Sequence, residues 1–310
     1  MPQRLLTCTT SASRLWRDAV HGTISSREFP TDRGGISVEG KEVELIVYTP
    51  QILAVLLGLA LGSFGNVLIH RVPRGESLWH PPSSCPQCAH RIRPWENIPL
   101  LSWLLLRGRC AGCRGPIAWR YPLVEATVGG LFLLLALRWP LEAAMFHYMP
   151  FVLLLVVLSV IDWETYRLPN PLVLALAICG VGSTGLIAAF WPGSPDILGP
   201  GAALLGAAAG LFSLLAVRQL SLLLLKQEGL GLGDVKLMGA VGLYLGWERT
   251  LLAIFLACVA GLVLAIPVQK LKGSREIPFG PWLALGSLLG LFIGERLVSW
   301  YIGWALGGMP

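Results

Sequence analysis

The sequence contains few charged residues. Asp, Glu, Lys and Arg make up only 14% of the 310 residues, whereas a soluble domain carries about a quarter. Apolar residues reach 54%, and the mean hydropathy is +0.65. Apolar stretches of about twenty residues recur, which is the length needed to cross a bilayer. This composition excludes an ordinary soluble protein and indicates a chain that crosses a membrane several times.

No cleavable signal peptide is predicted from the sequence. Residues 1–46 are polar and mixed in charge, and they have no apolar core followed by a small-residue cleavage site. We therefore expect residues 1–46 to form a disordered extension. The first transmembrane helix is predicted over residues 47–70, and residues 122–310 are predicted to form a larger membrane domain.

The number of spans depends on one short apolar stretch, residues 237–246. If this stretch crosses, the basic segments 71–121, 226–236 and 269–276 all face the same side, as the positive-inside rule requires. Later apolar stretches over residues 251–268 and 282–306 predict the last two spans. The sequence thus predicts an all-α membrane protein of about eight helices, with both termini outside the cytosol.

Positive charge is concentrated between the first two spans. Residues 71–121 contain eight arginines and two glutamates, a net charge of +6 for this segment. A basic patch can bind nucleic acid, but a basic loop beside a membrane span more often marks the cytosolic side. We therefore predict a cytosolic domain with membrane lipid as a partner and no nucleic acid.

Two C-x-x-C pairs lie in this basic segment. They comprise Cys85, Cys88, Cys110 and Cys113, with twenty-one residues between the pairs. Two such pairs can hold one structural zinc through four thiolates, while two disulfides are the alternative, less expected in a reducing cytosol. Four cysteine ligands leave no open position on the metal, which argues against a catalytic metal. The sequence predicts a small cytosolic zinc-binding domain over residues 71–121.

Two aspartates stand at the edges of apolar segments. Asp162 follows an apolar run, and Asp234 lies in a Gly-Leu-Gly-Asp sequence over residues 231–234. Each could be an ordinary loop acid at the water interface. The predicted topology, however, puts both at the cytosolic membrane surface, where two adjacent carboxylates would share one proton. Such a pair can activate water with one member and protonate a leaving group with the other.

Further motifs extend this pattern along the chain. They are the segments 61–71, 85–125, 162–170, 231–237 and 277–281. In this order they resemble the prepilin peptidase family, the type IV leader peptidases of the membrane G-x-G-D aspartic protease class. The resemblance covers about residues 53–293.

The resemblance implies two activities. One is cleavage of the basic leader of type IV prepilins or pseudopilins at the cytosolic face of the bacterial inner membrane, with Asp162 and Asp234 as catalytic residues. The other is N-methylation of the new N-terminus from S-adenosylmethionine. The sequence lacks a glycine-rich methyl-donor fingerprint, so Glu96, Asn97 and Glu125 are only candidates for methyl transfer.

Two alternatives use part of the same pattern. A transporter or ion relay could use Asp162 and Asp234 as intramembrane acids, although it leaves the four cysteines unexplained. A membrane scaffold could dock a partner through the zinc domain, but it leaves the Gly-Leu-Gly-Asp sequence unexplained. Loss of peptide cleavage on mutation of either Asp would distinguish the protease from both.

Overall fold

The computed structural model describes residues 40–226, 229–265 and 278–305. Regular structure in these ranges is helical, with two isolated β-bridges in the cysteine-containing segment. The helices are α1 (Gly40–Arg71), α2 (Leu101–Leu105), α3 (Arg120–Arg138), α4 (Ala143–Thr165), α5 (Asn170–Phe190), α6 (Pro200–Leu225), α7 (Leu232–Ala260), α8 (Gly280–Phe292) and α9 (Gly294–Ala305). A π-helical turn, Gly261–Ala265, continues α7.

The predicted all-helical membrane architecture is confirmed. Six helices, α1 and α3 to α7, are long and apolar enough to cross a membrane, and α8 with α9 can form a seventh span. Four cysteines cluster between the first and second of these spans. Helix α1 begins at Gly40, earlier than the predicted span, and the expectation of disorder for residues 1–39 lies outside the described residues.

Helix α7 reverses direction at Gly246, which has φ 75° and ψ 174°. A Cβ added at Gly210 of α6 would lie 2.1 Å from the Met238 carbonyl oxygen and 3.1 Å from Thr250 Cγ2. In a straight helix these two residues would stand about 18 Å apart. Met238 and Thr250 nevertheless lie beside the same residue of α6, so the chain turns back sharply at Gly246 between the segments 232–245 and 247–260.

The final apolar stretch is not one straight helix. Helices α8 and α9 meet at Ile293 with a bend of 73°. Charged Glu295 and Arg296 follow the bend, and Glu295 lies 3.7 Å from Arg138 at the end of α3. Trp300, Tyr301 and Trp304 of α9 are exposed. Charge next to the bend and aromatic residues beyond it are typical of a helix in the membrane interface.

Glycines bring the helices close together. A Cβ at Gly62 of α1 would lie 2.8 Å from the Glu125 Cα atom of α3. A Cβ at Gly242 of α7 would lie 2.0 Å from the carbonyl oxygen of Gly206 in α6. Small residues allow such close packing between membrane helices, which lack a hydrophobic force between them. Helix α4 is central, since 72% of its apolar window is buried against 22–44% for the other spans.

Candidate active site and metal centre

Asp162 lies one turn before the end of the central helix α4 and is only 5% exposed. Its Oδ2 atom accepts a hydrogen bond of 2.9 Å from the backbone N–H of Gly280, the first residue of α8. A Cβ at Gly280 would lie 2.6 Å from the same oxygen. Only glycine can therefore bring its backbone this close to the carboxylate without displacing it.

Asp234 lies in the first turn of α7, next to Asp162. The two are near enough for the Asp162 carboxylate to act electrostatically on Asp234. Asp234 is only partly buried, whereas Asp162 is buried. A Cβ at Gly233 would lie 3.0 Å from Leu168 Cβ, which places the start of α7 directly against the segment that follows Asp162.

Polar contacts fix the segments around the two aspartates. Lys236 Nζ donates a hydrogen bond of 3.0 Å to Asn170 Oδ1 and ties the start of α7 to the start of α5. Arg120 of α3 donates to both carboxylate oxygens of Glu164, at 2.7 and 2.8 Å. Glu164, two residues after Asp162, is thus an ion-pair partner rather than a simple interfacial acid.

The structure brings together both aspartates that sequence reasoning selected as the candidate catalytic pair. They come from different helices and meet at one end of the bundle. Two neighbouring carboxylates share a proton more readily than they both ionise. Such a pair can take a proton from water and give one to a leaving group.

Gly280 is the site residue that sequence reasoning did not select. Its contact with Asp162 joins residues 118 positions apart. The sequence feature that points to Gly280 is the Pro-Phe-Gly-Pro motif over residues 278–281. Pattern alone could not show that the glycine N–H points at a carboxylate.

The four cysteines form a compact cluster. Their Sγ atoms all lie within 4.8 Å of one another, with Cys85–Cys113 and Cys88–Cys110 separations of 3.9 Å. A tetrahedral ion with Zn–S bonds of about 2.3 Å needs sulfur atoms about 3.8 Å apart. All four are free thiols at these separations. The cluster therefore fits a metal ion in four-thiolate coordination, with no place for a fifth protein ligand.

The two cysteine pairs adopt the same local turn. The Ala89 N–H donates to the Cys85 carbonyl, and the Arg114 N–H donates to the Cys110 carbonyl, both at 2.9 Å. Ala89 and Arg114 both have φ near +57°, at 56° and 58°. Backbone N–H groups of Gln87 and Cys88 lower the pKa of the Cys85 thiol to about 7. Desolvation and the neighbouring thiols raise the pKa of Cys88 to about 11, so the two thiols of this turn do not ionise together without a metal ion. The thiolate is the form that binds metal.

Two of the three methyl-transfer candidates have structural partners. Glu96 accepts a 3.0 Å hydrogen bond from the Arg93 N–H, which lowers the pKa of this carboxyl, and it lies 3.1 Å from His90 Nε2. Glu125 is buried in α3 and accepts a 2.8 Å hydrogen bond from the Leu100 N–H. Asn97 ends a short 3₁₀ turn, Pro94–Asn97. The role of these three residues in methyl transfer stays a prediction.

Comparison with protein families gives two adjacent matches. The bacterial peptidase A24 N-terminal domain matches residues 56–139, which hold the second half of α1, the cysteine cluster and α3. The type IV leader peptidase family matches residues 149–266, which hold both aspartates.

Curated relatives match along most of their length. A prepilin leader peptidase/N-methyltransferase of Stutzerimonas stutzeri is 36% identical over 82% of this chain and 94% of its own. The proteins of the same name from Aeromonas hydrophila and Dickeya chrysanthemi are each 36% identical, over 81% and 77% of this chain and 93% and 91% of theirs. No solved structure matches.

Proposed function

This chain belongs to the type IV leader peptidase family, and on that premise we propose that Asp162 and Asp234 carry out its hydrolytic step. The protein is a multi-pass membrane enzyme that cleaves the leader from type IV prepilins and N-methylates the product. We also propose the roles of the individual residues, zinc as the metal, and the bacterial inner membrane as the location.

One observation carries the assignment of the catalytic pair. Asp162 is fixed by the 2.9 Å hydrogen bond from Gly280, and Asp234 stands beside it at the start of another helix. Both carboxylates therefore lie at the same end of the bundle as Arg120 and Glu164. The basic loops predict that this end faces the cytosol of a bacterial inner membrane.

The two carboxylates share one proton before the reaction. The ionised member takes a proton from water, whose oxygen attacks the carbonyl carbon of the scissile peptide bond. The protonated member donates a hydrogen bond to the carbonyl oxygen and polarises it. When the carbon–nitrogen bond breaks, the carboxyl that took the proton from water donates it to the leaving nitrogen, which yields a leader with a free carboxylate and a pilin with a new amine.

The four-cysteine cluster is assigned a structural role. A zinc ion held by Cys85, Cys88, Cys110 and Cys113 would join the two turns and stabilise the segment between α1 and α3. Methyl transfer from S-adenosylmethionine to the new amine is assigned to the cytosolic side of the molecule. Membrane lipid and prepilin or pseudopilin are the proposed partners, and nucleic acid is not among them.

A cleavage and methylation assay with one substrate tests the proposal. The full chain, in detergent or nanodiscs, is incubated with a purified prepilin, with and without S-adenosylmethionine, and the products are weighed by mass spectrometry. We expect the leader to be lost in both reactions and one methyl group to be added only with the donor. An intact prepilin in both reactions, with Zn bound and the protein folded, would overturn it.

A further inference from the structure

The segment between the cysteine pairs exposes large apolar side chains on a single short helix. Leu101, Leu104 and Leu105 of α2 are 48%, 64% and 74% exposed. The opposite side of the same helix is fixed inward, since Ser102 Oγ donates a 2.8 Å hydrogen bond to the Trp95 carbonyl and accepts one of 2.9 Å from the Ile98 N–H. We refer to Leu101, Leu104 and Leu105 as the leucine wedge.

The hydrogen bond that anchors the wedge also sets its depth. The N–H of Leu100, directly before α2, donates to Glu125 Oε2 at 2.8 Å. Glu125 stands five residues beyond Arg120 in α3, which corresponds to about 7–8 Å along the helix axis. Its carboxylate also bonds with Ser63 of α1, eight residues before Arg71 and so about 12 Å from that end of the helix.

The start of the wedge is therefore level with Leu123 of α3, which is 65% exposed on the outer surface of the bundle. Farther along α2, Trp103 contacts Trp119, directly before α3, with ring centroids 4.2 Å apart. Arg107 and Arg109 follow the wedge directly and are exposed, in a segment of net charge +6. Apolar side chains at the start of a membrane helix, with tryptophan and arginine beside them, match the boundary between lipid tails and anionic headgroups.

We propose that the leucine wedge is inserted in the cytosolic leaflet of the surrounding membrane, so that α2 is an interfacial element and only the cysteine turns project into the cytosol. The occupant of this apolar face is lipid. Exposure of three leucines to water would leave a contiguous apolar patch without compensation, whereas burial in lipid stabilises each of them.

Site-directed photo-crosslinking in the full chain tests this placement. The photoreactive amino acid p-benzoylphenylalanine replaces Leu104 or Leu105, and in a matched control it replaces Gln87, an exposed residue of the first cysteine turn. Each protein is reconstituted in nanodiscs that contain phosphatidylglycerol, irradiated and analysed by mass spectrometry. We expect lipid adducts at positions 104 and 105 and none at position 87.

Absence of lipid adducts at positions 104 and 105 would overturn the proposal. Replacement of the lipid adducts by prepilin adducts when prepilin is added would overturn it as well. The latter outcome would make the wedge a substrate-docking surface.

Cysteine substitutions, which are smaller, allow a second measurement if the photoreactive variants fail to fold. After replacement of Cys8, Cys179 and Cys258 with serine, Leu104→Cys is compared with Ser83→Cys, an exposed position before the first cysteine turn, in inside-out vesicles with a membrane-impermeant maleimide. Position 83 should react rapidly and position 104 slowly, with Zn content and prepilin cleavage retained in both. Equal reaction at the two positions would overturn the insertion.

Discussion

Asp162 and Asp234 depend on each other as a single chemical unit. Their separate substitutions to asparagine remove either the acid or the base of the pair, and no other group is assigned to either role. We expect each variant to lose prepilin cleavage by about 10²–10⁴-fold, the usual contribution of general acid–base catalysis. The double variant should be hardly slower than either single variant, because losses within one catalytic unit are not additive.

Leader release and methylation of an already cleaved pilin, measured separately, test the catalytic pair. Methyl transfer should persist in both asparagine variants, since it is assigned to another part of the molecule. Glu164→Gln serves as the control and should retain most cleavage, although it breaks the ion pair with Arg120. Substantial cleavage by Asp162→Asn or Asp234→Asn would contradict the pair.

Gly280 offers a residue-scale test of positioning. In Gly280→Ala the added Cβ would meet Asp162 Oδ2 at 2.6 Å, so the carboxylate or the start of α8 must move. A displacement of about 1 Å can cost about 10²-fold in rate. We therefore expect kcat for cleavage to fall by about tenfold or more, with KM and methyl transfer little changed.

The matched control for Gly280→Ala is Gly182→Ala. An added Cβ at Gly182 on α5 would meet nothing within 4 Å, so this variant should cleave at the normal rate. A normal kcat in Gly280→Ala would show that Gly280 does not position Asp162. A raised KM with an unchanged kcat would lead to the same conclusion.

At the scale of elements, the cysteine turns predict a metal requirement. One zinc per chain is expected in freshly purified protein by elemental analysis, because the four sulfur atoms already lie close to the separations of a tetrahedral site. Cys88→Ser should lose most of this zinc and make residues 71–121 sensitive to protease, since metal binding supplies folding free energy.

A lone membrane cysteine provides the comparison for the zinc measurement. The substitution Cys258→Ser, in the second half of α7, removes a thiol that lies outside the cluster. The variant protein should therefore keep the zinc ion. Absence of metal from the unaltered protein, or equal loss in both variants, would be incompatible with the site.

The contact between α6 and α7 predicts a second element-scale effect. In Gly242→Ala the new Cβ would lie 2.0 Å from the Gly206 carbonyl oxygen, a backbone atom that cannot rotate away. Overpacking of this kind costs about 1–3 kcal/mol, and separation of the helices would also shift Asp234. The thermal midpoint in detergent and the rate of cleavage should both fall, whereas Gly201→Ala, whose Cβ meets nothing within 4 Å, should change neither.

The elements also show what the sequence could and could not predict. Apolar length and the sidedness of basic residues were sufficient to propose a crossing at residues 237–246. A reversal between residues 246 and 251 follows from that proposal, but its position at Gly246 was not predicted, because it depends on Gly206 and Gly210 of another helix. The bend at Ile293 was missed as well, since the apolar pattern continues through it and only Glu295 and Arg296 interrupt it.

The candidate site, too, was only partly predictable from the sequence. Both aspartates and all four cysteines were identifiable because carboxylates at apolar edges and paired cysteines are unusual locally. Gly280 and the depth of Leu100 were not, because each depends on a contact between distant parts of the chain.

At the scale of the whole molecule, the fold predicts which loops face each side. The cysteine turns and the two aspartates should face the cytosol, and the α5–α6 loop over residues 191–199 should face outward. In protein whose Cys8, Cys179 and Cys258 are replaced by serine, Ser194→Cys should react with an impermeant maleimide in intact cells. Gln87→Cys should react only in inside-out vesicles, and the reverse pattern would invert the topology.

The half of α7 that carries Asp234 is too short to match an ordinary bilayer. Residues 232–245 form about 21 Å of helix, whereas the hydrocarbon layer is about 30 Å thick. Leu198 of the α5–α6 loop lies against Gly246 at the outer end of this half-helix. Residues 237–246 are all buried, so other helices rather than lipid surround this part of α7. A half-helix shielded from lipid in this way need not match the thickness of the bilayer, and its shortness costs the surrounding membrane no deformation.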